Sequence, residues 1–228
     1  MNDVFALVQD PAFALAYRVR DPGTARPTSL LLLLHGVGGN ETNLAGLAAG
    51  IAPDVLAVLP RGPLTLGDAQ HAWFRVAFTG EGPQIVAEEA EASRQALVRF
   101  IAQLQAAYGI APERTLIAGF SQGGILSASV GLTAPASVAG FAVLSGRILP
   151  ELEPLLASPE QLAHVRALVA HGRDDTKLPV GWAERADALL ARLGVTRTLR
   201  LYPHGHGIGE AMARDFANWI HDTLEVSP

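Results

Sequence analysis

Near-continuous apolar runs of strand length alternate with longer helical patterns along this chain of 228 residues, and this alternation constrains its fold more than any other feature. The runs occupy residues 29–36, 54–62, 114–121, 138–146, 165–172 and 196–203. Strands that are apolar at almost every position are typical of a parallel sheet, because helices cover both of its faces. The pattern therefore predicts the α/β class, with a doubly wound, mostly parallel central sheet and right-handed helical crossovers on both faces.

The segments between the runs predict the helices. Residues 82–110 carry the longest helical pattern, which has an apolar stripe and Gly109 in the position of a C-cap. Alternation over residues 13–20 predicts a strand at the sheet edge. No linker or repeat interrupts the pattern, so one domain is expected over residues 1–228. Shorter helices are predicted over residues 40–50, 122–132, 179–193 and 209–224.

Composition excludes several classes of protein. With 49% hydrophobic and 17% charged residues, the chain is expected to be compact and globular. Its net charge of −5 comes from 22 acidic and 17 basic residues, and the basic residues are scattered singly. Neither nucleic acid nor an anionic membrane surface is therefore an expected partner. The lack of cysteine excludes disulfides, thiolate metal sites and a cysteine nucleophile.

Two apolar segments test for targeting or membrane insertion. Residues 1–11 contain an acid, no basic region and too short an apolar stretch for a signal peptide. The five leucines at residues 30–34 are far too few to span a bilayer. A cytoplasmic protein without stable membrane association is expected.

Polar residues follow most of the apolar runs, at the point where each predicted strand ends. In doubly wound sheets, sites gather at the carboxyl ends of the strands. The sequence therefore predicts that these residues share one rim of the sheet. They are His35, Arg61, Ser121, Ser145, the segment from His171 through Asp175, which includes Asp174, and the segment from His204 to His206.

The segment GFSQG, residues 119–123, fits the pattern G-x-S-x-G between an apolar strand and a helical pattern. In such an elbow the serine takes a strained backbone conformation, so that its hydroxyl projects above the sheet. A side chain at Gly119 or Gly123 would collide with the neighbouring strand or helix. The pattern predicts Ser121 as a nucleophile.

A serine hydroxyl needs a base within hydrogen-bond reach and a third group that orients the base. In elbows of this type the acid and then the histidine follow the serine along the chain. Asp174 and Asp175 both come directly after a predicted strand, and His204 and His206 both lie in a later loop. The residues alone leave open which member of each pair acts.

Attack of a serine on a carbonyl creates an oxyanion, which two N–H donors must stabilise. The backbone N–H of Gln122, directly after the serine, is one candidate. The loop HGVGGNETNL at residues 35–44 supplies the other, because its small residues let the backbone face a substrate. A simple strand-to-helix turn capped by Asn40 or Thr42 is the alternative interpretation of this loop.

Several segments in one order resemble the phospholipase/carboxylesterase family of α/β-hydrolases, which includes small bacterial carboxylesterases and acyl-protein thioesterases. They are LHGVGGNETNL, PRGP, AWF, GFSQGG, LSGRILPE, HGRDDTKLP and YPHGHGI. The resemblance covers nearly the whole chain and implies a single α/β-hydrolase domain without a large lid. It also implies Ser121 as the nucleophile, and it selects Asp175 over Asp174 and His206 over His204.

The same resemblance implies oxyanion donors at the backbone N–H groups of Val37 and Gln122. It implies that Trp73 and Phe74 wall the substrate pocket, although aromatic residues in such positions are equally typical of a core. The sequence departs from the family pattern at Arg75, Lys177 and Gly207.

The function that the resemblance implies is cleavage of carboxylic esters through an acyl-enzyme intermediate, with a small-molecule ester or thioester as substrate. Acyl-protein thioesterase or lysophospholipase activity is the alternative, since these reactions share the acyl-enzyme route. A more distant alternative is a non-catalytic binding protein, but such proteins usually lack a member of the triad. No cofactor or metal is expected, because HGHGIG has Ile208 and Gly209 where a zinc pattern needs aspartate and histidine. Oligomeric state stays open, a homodimer being one alternative.

Overall fold

The computed structural model describes residues 6–20, 26–79 and 82–225. The strands are β1 (Tyr17–Val19), β2 (Ser29–Leu34), β3 (Val55–Pro60), β4 (Leu64–Gly67), β5 (Gln70–Ala72), β6 (Val76–Thr79), β7 (Gly82–Ile85), β8 (Thr115–Phe120), β9 (Gly140–Leu144), β10 (Arg166–Gly172) and β11 (Thr196–Tyr202). The helices are α1 (Ala45–Ala49), α2 (Ala87–Tyr108), α3 (Gln122–Thr133), α4 (Pro159–Leu162), α5 (Gly181–Arg192) and α6 (Glu210–Glu225). Short 3₁₀ helices occupy Pro112–Arg114, Pro135–Ser137 and Pro150–Leu155.

The central sheet has the strand order β1-β3-β2-β8-β9-β10-β11. All its neighbouring strands pair in parallel except β1, which pairs antiparallel with β3 at one edge. The predicted mostly parallel sheet with helices on both faces is confirmed. Because the parallel strands all point the same way, their carboxyl ends form one rim.

The five leucines of β2 show why the apolar runs are continuous. Leu30, Leu32 and Leu34 face one core with α2, α3 and α5, whereas Leu31 and Leu33 face a second core with α1 and α6. Side chains alternate between the two faces of a strand. A strand covered by helices on both faces must therefore be apolar at every position.

Two helix predictions are wrong at their first residues. The helix predicted from residue 82 begins at Ala87, because Gly82–Ile85 pair with β6 in an antiparallel hairpin. The helix predicted over residues 40–50 is shortened to Ala45–Ala49, because hydrogen-bonded turns precede it. Gly109 does end α2 in the left-handed conformation, with φ of 66°. A second hairpin, β4–β5, was not predicted, because its strands have no continuous apolar run.

The elbow between β8 and α3 brings three backbone segments into direct contact. Ser121 has φ of 54° and ψ of −113°, which is a strained conformation for a residue with a side chain. A Cβ atom on Gly119 would lie 2.3 Å from the carbonyl carbon of Gly123, and one on Gly123 would lie 2.2 Å from the carbonyl oxygen of Leu34. A side chain at either position would therefore cause the collision expected from the pattern GFSQG. Only glycine fits two residues before and two residues after Ser121.

Gly123→Ala is expected to lower the free energy of unfolding by about 1–3 kcal/mol, because the added methyl group must push α3 away from β2. Urea denaturation measures this difference. The matched control is Gly46→Ala in α1, where an added Cβ meets nothing within 4 Å. That change should stabilise the protein slightly, since alanine favours a helix. Equal stability of Gly123→Ala and the wild type would contradict the proposed packing constraint.

Candidate active site

A chain of hydrogen bonds joins three side chains from separate loops at the rim. The Nε2 atom of His206 lies 3.0 Å from the Oγ atom of Ser121, and its Nδ1 atom lies 2.7 Å from Oδ2 of Asp175. A carboxylate only accepts hydrogen bonds, so the proton of a neutral His206 ring is on Nδ1. Its Nε2 atom is then free to accept the proton of the serine hydroxyl.

The Asp175 side chain is buried, and both of its carboxylate oxygens accept hydrogen bonds. Its Oδ1 atom accepts hydrogen bonds from the backbone N–H groups of Lys177, at 2.9 Å, and Leu178, at 2.8 Å. Burial raises the pKa of this carboxyl, but the hydrogen bonds from Leu178 and His206 outweigh burial and leave the pKa below its ordinary value. Asp175 therefore stays ionised at neutral pH, as an acceptor for His206.

The two residues that the sequence could not separate from this pair lie elsewhere. Asp174 is exposed to solvent. The His204 ring stacks on Tyr202, with ring centroids 5.7 Å apart, and its Nδ1 atom contacts the carbonyl oxygen of Gly205. The structure brings Asp175 and His206, rather than Asp174 and His204, towards Ser121.

The backbone N–H groups of Gln122 and Val37 lie in the two segments that flank the serine. Gln122 is the first residue of α3, and a helix offers no acceptor to its first N–H groups. Val37 lies in the loop after β2, with an exposed side chain. The two segments are positioned by contacts that the sequence analysis did not predict.

Strand β5 holds the loop of Val37 in place. The backbone N–H of His71 donates to the carbonyl of Gly39 at 2.7 Å, and Gly38 donates to the carbonyl of His71 at 2.9 Å. The side chain of Asn40 adds a third hydrogen bond, from Nδ2 to the carbonyl of Ala69 at 2.9 Å. The β4–β5 hairpin therefore fixes the shape of a loop whose backbone could face a substrate.

The side chain of Gln122 fixes the segment of Trp73 and Phe74. Its Oε1 atom accepts from the backbone N–H of Trp73 at 2.8 Å, and its Nε2 donates to the carbonyl of Phe74 at 2.6 Å. The indole Nε1 of Trp73 donates to the carbonyl of His35 at 2.9 Å. Both aromatic side chains are fully buried in the core. Their role as walls of a substrate pocket stays a prediction.

His171 and Ser145 are two further residues at the rim, and the sequence analysis gave neither of them a role. Buried His171 donates from Nε2 to the carbonyl of Leu178 at 2.7 Å, and the same atom lies 3.3 Å from Oδ2 of Asp175. Ser145, with φ of 50°, donates from Oγ to the carbonyl of Gly207 at 3.1 Å. His171 thus supports the turn that carries Asp175, and Ser145 supports the loop that carries His206. Their position at strand ends was the signal that could have identified them.

Arg75, Lys177 and Gly207, the three residues that depart from the family pattern, each make different contacts. Arg75 forms an ion pair with Glu89 near the start of α2, and its backbone N–H also donates to Glu89 at 2.8 Å. Lys177 supplies a backbone donor to Asp175 while its side chain is exposed. Gly207 supplies the carbonyl that Ser145 binds.

A buried carboxylate fixes the base of the loop after β2. Glu41 accepts two hydrogen bonds from Arg61, each 2.8 Å long, and one from Arg18 at 3.1 Å. The hydrogen bond from Arg61 is the main reason that the pKa of Glu41 falls to about 2, against the opposing effect of burial. Next to it, His35 accepts a hydrogen bond from the N–H of Gly62, and burial lowers the pKa of His35 to about 4. The network therefore joins the loops after β2 and β3 with His35 in its neutral form at neutral pH.

The lowered pKa of Glu41 predicts how its contribution to stability depends on pH. Because the folded protein binds a proton here less readily than the unfolded chain does, the contribution is complete above about pH 5 and is lost as pH falls towards 2. The gap in unfolding free energy between the wild type and Glu41→Gln should shrink over that range. Chemical denaturation at a series of pH values measures the gap. Exposed Glu113→Gln is the control, and a gap that stays constant with pH would contradict the role of this ion pair.

Residues 6–20, 26–79 and 82–225 contain neither a cluster of metal-binding side chains nor a helix that could span a membrane. No three His, Asp or Glu side chains among these residues cluster as ligands for a metal ion would. No helix in this part of the chain has the length and apolar character needed to cross a membrane.

The strand order, the elbow and the loops at the carboxyl rim define an α/β-hydrolase, without a large lid in the part of the chain that the structure describes. A sequence profile described as Phospholipase/Carboxylesterase matches residues 17–224. The chain belongs to this family, and the resemblance stated from its motifs is confirmed.

Individual relatives agree with this assignment. The chain is 28% identical over 212 residues to Carboxylesterase SOBER1 of Arabidopsis thaliana, covering 87% of this chain and 92% of the relative. It is 27% identical over 222 residues to Acyl-protein thioesterase 1 of Neurospora crassa, covering 89% and 88%. The crystal structure of a carboxylesterase from Mesorhizobium loti superposes with a TM-score of 0.82 at 27% identity, covering 94% of this chain and 98% of that one. The protein is a hydrolase of the carboxylesterase and thioesterase type.

Proposed function

We propose that the protein cleaves carboxylic esters as a serine hydrolase, with Ser121 as nucleophile, His206 as general base and Asp175 as the group that orients the base. The observation that carries this proposal is the unbroken chain of hydrogen bonds from Asp175 through His206 to Ser121. The strained backbone at Ser121 supports it, because strain of this kind is typical of functional sites.

In the first half of the proposed reaction, Oγ of Ser121 forms a bond to the ester carbonyl carbon while Nε2 of His206 takes the hydroxyl proton. The carbonyl oxygen becomes an oxyanion, which the backbone N–H groups of Val37 and Gln122 stabilise. The C–O bond to the alcohol then breaks, and His206 returns the proton to the leaving oxygen. An acyl-serine and a free alcohol result.

In the second half, His206 takes a proton from water, and the resulting oxygen attacks the acyl carbon. The bond to Oγ breaks, His206 returns the proton to Ser121, and the carboxylic acid leaves. Asp175 stays ionised throughout and stabilises the protonated imidazole, in agreement with its lowered pKa.

Acyl-protein thioesterase activity is the second candidate, supported by the relative from Neurospora crassa. A thioester follows the same two steps with a thiol as the leaving group. Parallel assays with an oxygen ester and a thioester of the same acyl group rank the two activities. Lysophospholipase activity is ranked in the same way with a lysophospholipid.

Ser121→Ala should abolish hydrolysis of p-nitrophenyl esters and labelling by a fluorophosphonate probe, because the only change is the loss of the nucleophilic oxygen. The loss in turnover is expected to be on the order of a millionfold. Ser137→Ala, outside this site, is the control and should keep both properties. Labelling of the Ser121→Ala variant would overturn the choice of nucleophile. Absence of both labelling and hydrolysis in the wild type would support a binding protein instead.

The neighbouring pairs provide matched controls for the other two residues. His206→Ala and Asp175→Ala are each expected to lower kcat by roughly 10⁴-fold or more. His204→Ala and Asp174→Ala should change kcat only modestly, because neither side chain contacts Ser121 or His206. Steady-state kinetics on one p-nitrophenyl ester compares all four variants. A larger loss for His204→Ala than for His206→Ala would contradict the proposed base.

A further inference from the structure

A surface cavity of about 420 Å³ opens near Ser121, between the loop of Val37 and the residues that follow His206. Its volume lies within the ordinary range for small-molecule sites. The residues that line it are Gly36, Val37, Gly38, Gly39, Asn43, Leu44, Phe120, Gly207 and Ile208. It therefore extends from the loop of Val37 to the residues that follow His206.

One end of the cavity lies next to His206. Gly207 and Ile208 directly follow this histidine in the chain, and the ring of Phe120 lies 4.9 Å from the imidazole, between centroids. The other end is lined by Gly36, which packs close to Ser121: a Cβ on Gly36 would lie 3.4 Å from the Cβ of Ser121. The cavity is thus bordered by residues that adjoin both Ser121 and His206.

The proposed reaction requires the leaving oxygen next to His206 as well. His206 must pass the proton it took from Ser121 to this oxygen, and such transfer needs hydrogen-bond distance to Nε2. The alcohol part of the ester therefore starts next to His206, and the cavity lined by Gly207, Ile208 and Phe120 is a space near this histidine. The acyl part, bonded to the same carbon, has to leave the site in another direction.

The chemistry of the lining specifies which alcohols fit. None of the nine residues described as lining the cavity has an ionisable side chain. Leu44, Phe120, Ile208 and Val37 contribute apolar side chains to the lining, glycine residues contribute backbone, and Asn43 contributes a polar but uncharged side chain. A charged group placed there would meet no side chain of opposite charge among these residues, whereas an alkyl or aryl group would gain apolar contact.

We propose that this cavity binds the uncharged, apolar alcohol moiety of the ester substrate. The inference rests on the proposed function and adds the class of leaving group. During acylation the bound alkoxide breaks from the acyl carbon, takes the proton from His206 and departs as a neutral alcohol. The contacts between the alcohol and the cavity consequently act on acylation alone, since the alcohol is gone before the acyl-serine is hydrolysed.

Acetate esters that share one acyl group and differ in the alcohol test the proposal. Ile208→Trp fills the cavity, and it should lower the ratio of kcat/KM for 3-tert-butylphenyl acetate to kcat/KM for methyl acetate roughly tenfold or more. Ile208→Ala should shift the preference towards the larger alcohol. Leu155→Trp, an exposed leucine outside the cavity lining, is the matched control and should behave as the wild type.

The charge of the leaving group is tested with 3-(trimethylammonio)phenyl acetate, which has the shape of the tert-butyl ester and one positive charge. After correction for the rate with hydroxide, its kcat/KM should be lower by roughly tenfold or more. Preference for the cationic ester would overturn the proposal. An equal loss for both acetates in Ile208→Trp, or a loss that follows acyl length at a fixed methyl alcohol, would also overturn it.

Direct binding separates this inference from the proposed function. Calorimetry should detect binding of 3-tert-butylphenol to the Ser121→Ala variant and weaker binding to Ser121→Ala combined with Ile208→Trp. This measurement needs no catalysis, so it stands even if the wild type hydrolyses no ester. Equal binding to the two variants would overturn the assignment of the cavity.

Discussion

The contact between the backbones of β2, β8 and α3 is the constraint on which the rest of the site depends. Gly119 and Gly123 allow α3 to approach both strands more closely than any side chain would permit. The same approach forces Ser121 into a backbone conformation with positive φ. The first residue of α3 and the loop after β2 then meet at the serine, because they begin from the segments that are in contact. The proposed nucleophile and the proposed oxyanion donors are thus positioned by one packing arrangement.

Hydrogen bonds from outside the site hold its loops in this arrangement. The turn of Asp175 is supported by His171, the loop of His206 by Ser145, and the loop of Val37 by β5. Ser145 and β5 join these loops to elements that are distant in sequence, whereas His171 acts within its own strand-to-loop turn, and several of the supports use backbone atoms. Proton transfer requires donor and acceptor within about 3 Å, so loops that moved independently would lose the alignment for catalysis. The proposed proton transfer therefore depends on these supports, although none of them is proposed to contact a substrate.

The sequence predicted the central sheet well but did not predict the two hairpins outside it, β4–β5 and β6–β7. Strands such as β2 and β10 are apolar at nearly every position, and the burial that causes this pattern also fixes their place in the centre of the sheet. Hairpins β4–β5 and β6–β7 are stabilised by pairing with a neighbour, and they leave no comparable pattern. For the same reason, Gly82–Ile85 was predicted as the start of a helix. The pairing partner of a short exposed strand is not encoded in its own composition.

The sequence by itself determined the elbow, the rim and the types of side chain that gather there. Glycine spacing and strand burial are local properties, so short stretches of the sequence are enough to predict them. It left Asp174 beside Asp175, and His204 beside His206, as equals until a family pattern was compared. Only the tertiary structure placed Asp175 and His206 within hydrogen-bond distance of each other and of Ser121. It also gave His171 and Ser145 their contacts and formed the cavity at Ile208. Those features depend on distances between atoms of separate loops, and such distances exist only once the sheet has brought the loops together.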